Sequence, residues 1–212
     1  MVSFDKAFWD DHYDRHPGHG GHGPNPQLVA HAAGLRPGGA LDAGCGEGAD
    51  ARWLAEQGWQ VTAVDVARAV LDTAREHAER LAEDVRQRIA WRQEDLTAWT
   101  PDEGAFDLVS AQYVHVPEAA RERFFLGLAG SVAPGGTLLV VGHDPMGHDE
   151  PAETSAAASY RTADLAELLD GAAWDVALTE SSHQRGHGAT VHDTVLRATR
   201  REPGSASGRR NG

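Results

Sequence analysis

A chain of 212 residues has the size of one ordinary α/β domain and can bury roughly 70% of its unfolded surface without a metal or disulfide staple. Hydrophobic residues at 41% and charged residues at 24% are globular values, and the single cysteine, Cys45, excludes an intrachain disulfide and fits a reducing compartment. Nineteen Lys and Arg against 32 Asp and Glu leave a net charge of −13, which argues against a duplex nucleic-acid binder and is easier to reconcile with a small or cationic partner.

The first segment, residues 1 to 16, mixes aromatic and charged side chains and fits a short helix. Asp5, Lys6, Asp10, Asp11 and Asp14 leave no apolar core for a signal peptide, and no stretch of the chain approaches the roughly 20 apolar residues of a membrane span. A cytoplasmic location without membrane contact is therefore expected. A glycine- and histidine-rich loop follows, His16 to Gly23, bounded by Pro17, Pro24 and Pro26. Its histidines at 16, 19 and 22 have no local acid or cysteine beside them, and the glycines leave them unordered. A flexible loop on the substrate side is expected here, and no metal site.

From Gln27 to about His143 apolar runs alternate with helical patterns. Ala40 to Ala43 reads as a buried strand ending in glycines. Ala49 to Gln57 reads as a helix closed by Gly58. Val61 to Val64 is a second strand, followed by a helix with small or apolar residues at Val66, Val70, Ala74, Ala78 and Leu81 on one face. Ile89 to Gln93 and Phe106 to Ala111 are the third and fourth strands. Phe124, Phe125, Leu128, Ala129 and Val132 form another helical stripe, stopped by Pro134-Gly135-Gly136, and Leu138 to Val141 is the fifth strand.

Strands separated by helices imply right-handed crossovers and a parallel sheet. After a Pro-, Gly-, Ser- and Ala-rich loop from Asp144 to about Thr162, a helix over Thr162 to Gly171 is expected. Val176 to Thr179 and Val191 to Arg197 then read as strands joined by a short link, which permits only an antiparallel pair. The tail, Arg200 to Gly212, reads as a solvated disordered end.

The most informative motif is Leu41-Asp42-Ala43-Gly44-Cys45-Gly46-Glu47-Gly48, between a strand and a helix. Its glycines fall at 44, 46 and 48, not at the G-x-G-x-x-G spacing that aims a helix at a pyrophosphate. S-adenosylmethionine (SAM) carries no phosphate but an ammonium, a carboxylate and a sulfonium. Asp42 inside the loop suits the ammonium, and the backbone amides of Gly44, Cys45 and Gly46 suit the carboxylate. Cys45 itself reads as a small buried residue, not a nucleophile. A second acid, Asp65, ends the second strand 19 residues after Gly46, with Val66 beside it. At a strand's carboxyl end it can accept both hydroxyls of a ribose, or cap the helix that follows.

On these residues the chain resembles the class I SAM-dependent methyltransferases, most similar to small bacterial enzymes of the tellurite-resistance and thiopurine type. The resemblance runs from about Gln27 to His143 and covers the rest loosely. It implies a Rossmann-like three-layer sandwich with a seven-stranded, mostly parallel sheet in the order 3-2-1-4-5-7-6 and an antiparallel last strand. It also implies one domain over 1–199, with an N-terminal lid over 1–35 and a core over 36–199. By the same resemblance Asp95 takes the adenine amino group and Leu96 packs on the ring, although Asp95 also suits a turn. Ala111, Gln112 and Tyr113 end the fourth strand and would line the methionine arm and the acceptor pocket. Trp9, Tyr13 and Arg15 would help close that pocket.

Methyl transfer from a sulfonium is an in-line displacement, so the protein chiefly aligns the reactants and excludes water. A base is needed only where the nucleophile must lose a proton. His115 and His143, each following a strand on the ligand side, are the candidates, with hydrogen-bonded structural roles as the alternative. The expected partner is a small-molecule methyl acceptor bearing S, O or N, handled by a monomer or homodimer. Two other classes stay open: an NAD-dependent oxidoreductase, against which the glycine spacing counts, and a SAM-binding protein without catalysis.

Overall fold

The computed structural model describes residues 23–143, 162–184 and 190–204. Seven strands, β1 (Gly39–Ala43), β2 (Gln60–Asp65), β3 (Ile89–Gln93), β4 (Phe106–Gln112), β5 (Val132–His143), β6 (Trp174–Gln184) and β7 (Thr190–Arg200), form one sheet. Its order is β3-β2-β1-β4-β5-β7-β6. β1 to β5 pair in parallel, and β7 runs antiparallel to both β5 and β6. This is the expected Rossmann-like sheet.

Strand residues alternate between two cores, which makes the fold a three-layer sandwich. Ala40, Val61, Ala63, Leu108, Leu139, Val141 and Val195 face helices α1 (Pro26–Ala32), α2 (Ala49–Glu56) and α3 (Arg68–Ala78), from which Leu28, Leu54 and Leu71 pack against them. Leu41, Val64, Val109, Leu138, Val140 and Leu196 face the opposite way, onto Phe124, Phe125 and Leu128 of α5 (Glu118–Ser131) and Leu165 of α6 (Thr162–Ala166). A short helix, α4 (Glu83–Arg86), precedes β3.

The ends of the elements follow from local chemistry. At the end of α2 the Trp59 N–H donates to Leu54 O (3.0 Å) and the Gly58 N–H to Ala55 O (3.1 Å). That paired closure uses the left-handed backbone of Gly58, φ 95°, and drops the Trp59 side chain into the core at 1% exposure. At the start of α1, Pro26 takes the first helical position and the Asn25 side chain accepts from the Gln27 N–H (2.8 Å).

Several expected boundaries shift. The helix after β2 begins at Arg68, not Val66, because the Asp65 carboxylate accepts the Ala67 N–H (3.0 Å) and holds that turn extended. Val132, expected on a helical stripe, is extended and pairs with Phe106 in β5, and the strand then bulges across Pro134 to Gly136 before Thr137 rejoins Leu108. α6 ends at Ala166, where three-residue turns replace helical bonds. β7 runs through Arg200, one residue into the expected tail, and Arg200 Nη1 donates to Val132 O (2.6 Å). The segment with Trp9, Tyr13 and Arg15, the histidine loop up to residue 22 and the loop 144–161 lie outside the described residues.

Trp59 is the largest fully buried side chain. Trp59→Ala is expected to lower the unfolding free energy by about 3–5 kcal/mol, read by denaturant titration. A loss below about 1 kcal/mol would contradict its place in the core.

Candidate functional site

The order of the strands sets where a ligand can enter. The chain steps outward from β1 to β2 and β3, then returns to place β4 on the other side of β1, leaving a crevice beyond the carboxyl ends of β1 and β4. The glycine motif occupies it. The Gly44 and Cys45 N–H groups both donate to Val64 O, at 2.8 and 2.9 Å, so the loop folds back over the end of β2. Gly44 has φ 77°, and a Cβ there would lie 2.6 Å from Val114 Cγ2 just after β4. Gly48 has φ 74°, and a Cβ would run into the Trp91 ring of β3. Conformation and space together demand glycine at both positions.

The second acid is drawn onto the first motif. Asp65 Oδ2 accepts the Gly46 N–H and Oδ1 the Ala67 N–H, each at 3.0 Å, so one side chain joins the glycine loop to the turn before α3. Val66 is half-buried beside it, and its carbonyl accepts from Gln93 Nε2 (3.0 Å).

Asp42 is 2% exposed, and its Oδ2 has no hydrogen-bond partner. Burial, with Asp50 and Asp65 nearby, holds its carboxyl well above the usual carboxylate range, against the pull of the Ala51 backbone N–H. Asp50, in the first turn of α2, is pushed up to about 6 by burial even though it accepts the Asn25 N–H (2.6 Å). Three acids thus crowd around one glycine loop, a setting that favours a positively charged guest. Cys45 is buried among them; burial first, then Asp42 and Asp65, pushes its thiol well up, which leaves it a poor nucleophile.

The remaining sequence candidates sit at the other strand ends. Asp95 is exposed, and its Oδ1 accepts from Thr97 N (2.8 Å) and Thr97 Oγ1 (2.6 Å) in the turn after β3, while Leu96 is buried in the core with Val64 and Leu41. Ala111 is fully buried near the end of β4. Gln112 Nε2 donates to Ser110 Oγ (2.8 Å), and its buried Oε1 has no partner.

Tyr113 has φ 53°, the one left-handed non-glycine among the described residues, a conformation that costs on the order of 1–3 kcal/mol. Its N–H donates to Val141 O (2.8 Å) and its hydroxyl to Asp193 Oδ2 (2.8 Å). His115 is half-buried three residues past β4. His143 pairs with Asp193 across β5 and β7 through the backbone; its side chain lies outside what is described.

Asp50, Asp193 and the Trp91 wall were not singled out from sequence. Asp193 carried a signal, an acid between Val191 and Val195 in an apolar strand. Asp50 carried none, because an acid in the first turn of a helix is ordinarily a solvated helix-terminus residue.

Asp50 keeps its proton to about pH 6 in the folded protein, against 3.8 as the ordinary value. Between those values the folded state binds more protons than the unfolded one, so stability falls as pH rises through that window and then levels off. Asp50→Asn retains an oxygen for the Asn25 N–H. It should flatten that fall and raise the unfolding free energy above about pH 7 by on the order of 1–3 kcal/mol. Denaturant titrations from about pH 4 to 8 read the difference, and equal slopes for the two proteins would contradict the burial of a charge at Asp50.

Residues 40–136 match the family described as "Methyltransferase domain". The chain is 33% identical over 101 residues to the ubiquinone biosynthesis O-methyltransferase of Coxiella burnetii (strain RSA 493 / Nine Mile phase I), covering 47% of this chain and 41% of that protein. It is 32% identical over 142 residues to the protein of the same name from Xylella fastidiosa (strain M23), covering 66% and 56%. The chain thus spans about half the length of the curated relatives it matches. Its fold resembles the crystal structure of a SAM-dependent methyltransferase from Methanosarcina mazei, with a TM-score of 0.64 at 18% identity over 85% of this chain and 100% of that one. Residues 40–136 thus match a methyltransferase domain, and the fold as a whole resembles a solved SAM-dependent methyltransferase.

Proposed function

We propose that this protein binds S-adenosylmethionine in the crevice beyond β1 and β4 and transfers its methyl group to a small-molecule nucleophile. The observation that carries the reading is the buried, unpartnered Oδ2 of Asp42 beside the glycine loop. A carboxylate oxygen left dry and unpaired is costly unless a ligand completes it. An ammonium does so, and the raised proton affinity of Asp42, caused by burial and then by Asp50 and Asp65, marks a place where added positive charge is favourable.

The residues fit the whole cofactor. Asp42 would take the ammonium, and the Gly44, Cys45 and Gly46 backbone would pass beside the methionine arm without donating to its carboxylate, because those three N–H groups are held by Val64 O and Asp65. Asp65 and Val66 would meet the ribose, Asp95 and Leu96 the adenine, and Ala111 and Gln112 the arm that carries sulfur. Asp65 already holds two backbone N–H groups, so it would meet the ribose as a fixed, preorganised carboxylate. When bound, the cofactor supplies a methyl group on positively charged sulfur. The chain's task is then to hold the acceptor in line and exclude water. A segment over residues 1–35 bearing Trp9, Tyr13 and Arg15 would serve as the lid, and His115 and His143 would take the structural roles that are the alternative to acting as bases. Oxygen is the favoured acceptor atom, because the curated relatives are O-methyltransferases of ubiquinone biosynthesis.

Calorimetry with SAM and with S-adenosylhomocysteine is expected to show micromolar binding that weakens about 10- to 100-fold in Asp42→Asn, the range of one charge-assisted hydrogen bond. Affinity for SAM should also weaken as pH falls through about 6, where Asp50 takes up its proton and the site loses negative charge. No affinity for either compound, with uptake of a nicotinamide dinucleotide instead, would overturn the reading. Deleting residues 1–16 should remove SAM affinity or turnover while the core stays folded; unchanged kinetics would refute the lid.

A further inference from the structure

The far side of the crevice holds a polar pair with no part in the cofactor loop. Tyr113 leaves β4 between Gln112 and Val114, the residue whose methyl faces Gly44. Its hydroxyl donates to Asp193 Oδ2 at 2.8 Å. Asp193 lies on β7 at 1% exposure, paired through the backbone with His143 of β5 and Ser181 of β6, and is followed by the core residues Val195 and Leu196. A carboxylate at this depth is tolerated only where hydrogen bonds hold it. The tyrosine that bonds it is held in a left-handed backbone by β5 and by this same carboxylate.

We propose that Tyr113 and Asp193 form a proton-accepting dyad for a hydroxyl-bearing methyl acceptor, a reading that rests on the methyltransferase function above. The single phenolic hydrogen of Tyr113 is given to Asp193, so a group that meets the phenol oxygen must bring a hydrogen of its own. A hydroxyl does. As the acceptor becomes nucleophilic, its O–H bond breaks and the electron pair stays on its oxygen. The proton passes to the Tyr113 oxygen while the phenolic proton passes to Asp193. Tyr113 is neutral before and after, Asp193 ends as a carboxylic acid, and the proton returns to water by the same path once product has left. Tyr113 is the catalytic residue, and Asp193 is a positioning residue that acts through it.

The test compares the 212-residue chain with its Tyr113→Phe and Asp193→Asn variants, using catechol as the hydroxyl probe and thiophenol as a nucleophile that ionises unaided. Binding of S-adenosylhomocysteine, followed by calorimetry, is expected to stay within about twofold in both variants, which shows folding and an intact cofactor site. Catechol methylation should fall about 100-fold or more in each, the usual scale for losing a general base. In Asp193→Asn the loss should fall on kcat with KM kept, because asparagine still accepts the tyrosine hydroxyl. Thiophenol turnover should fall at least about tenfold less than catechol turnover, because that nucleophile ionises unaided. Independently of turnover, catechol should bind the S-adenosylhomocysteine-loaded protein about tenfold more weakly in Tyr113→Phe alone.

Wild-type kcat in Asp193→Asn, equal losses for both probes, or catechol neither bound nor methylated better by wild type than by Tyr113→Phe would each overturn the dyad. Those results leave the methyltransferase reading standing while S-adenosylhomocysteine binds. Failure of wild type to bind it would sink that reading instead.

Discussion

The carboxylate of Asp65 reaches back to a loop 19 residues earlier in the chain and forward to the turn that follows it. Its oxygens accept the N–H of Gly46 and of Ala67, so the end of β2 simultaneously shapes the glycine loop after β1 and the turn into α3. The paired N–H groups of Gly44 and Cys45 on Val64 O tighten the same junction from the backbone side. Between them, these four bonds keep the loop from relaxing into the crevice, and they allow Gly48 to pass close under the Trp91 ring. A ligand meeting this loop encounters a surface whose shape was settled during folding, which lowers the cost of ordering it on binding.

The same junction is electrostatically uncomfortable. Asp42, Asp50 and Asp65 share a small volume that is largely closed to water, and burial raises the proton affinity of the first two. Stability alone would favour neutral side chains at these places. Ionisable acids at these places cost the fold stability, and that trade is common at functional sites. Cys45 shows the other consequence: in so negative and dry a setting a thiol stays protonated and serves as a small packing residue.

Across the crevice the strategy differs. Tyr113 is held by geometry, with its N–H on β5 and its hydroxyl on β7, and the two anchors together fix a left-handed backbone that neither would hold alone. Strain of this kind persists only where the surroundings over-determine it. The antiparallel β7, inserted between β5 and β6, brings Asp193 within reach. A sheet that stayed parallel to its edge would carry no such residue there. The glycine loop and the Tyr113–Asp193 pair are therefore built by different halves of the sheet and meet at the end of β4.

Much of this architecture was legible in the residues themselves. Period-two apolar runs separated by period-3.6 stripes specify a parallel sheet wrapped in helices, because only that pattern buries both faces of the strands and one face of each helix. The glycines at 44, 46 and 48 and the acid at 65 are local chemistry, readable because a turn and a strand end impose strict demands on residue type. Boundaries were less legible. Val132 suits a helical stripe as well as a strand, and its partner Phe106 decided the matter.

What only the tertiary structure decided are contacts between residues far apart in the chain. Nothing local marks Asp50 as a desolvated acid; burial in the folded chain raises its proton affinity against the pull of the Asn25 N–H. Nothing local pairs Tyr113 with Asp193, 80 residues away. A sequence records what each residue prefers within a turn or two, whereas desolvation and hydrogen-bond partnership depend on which strands the fold sets side by side.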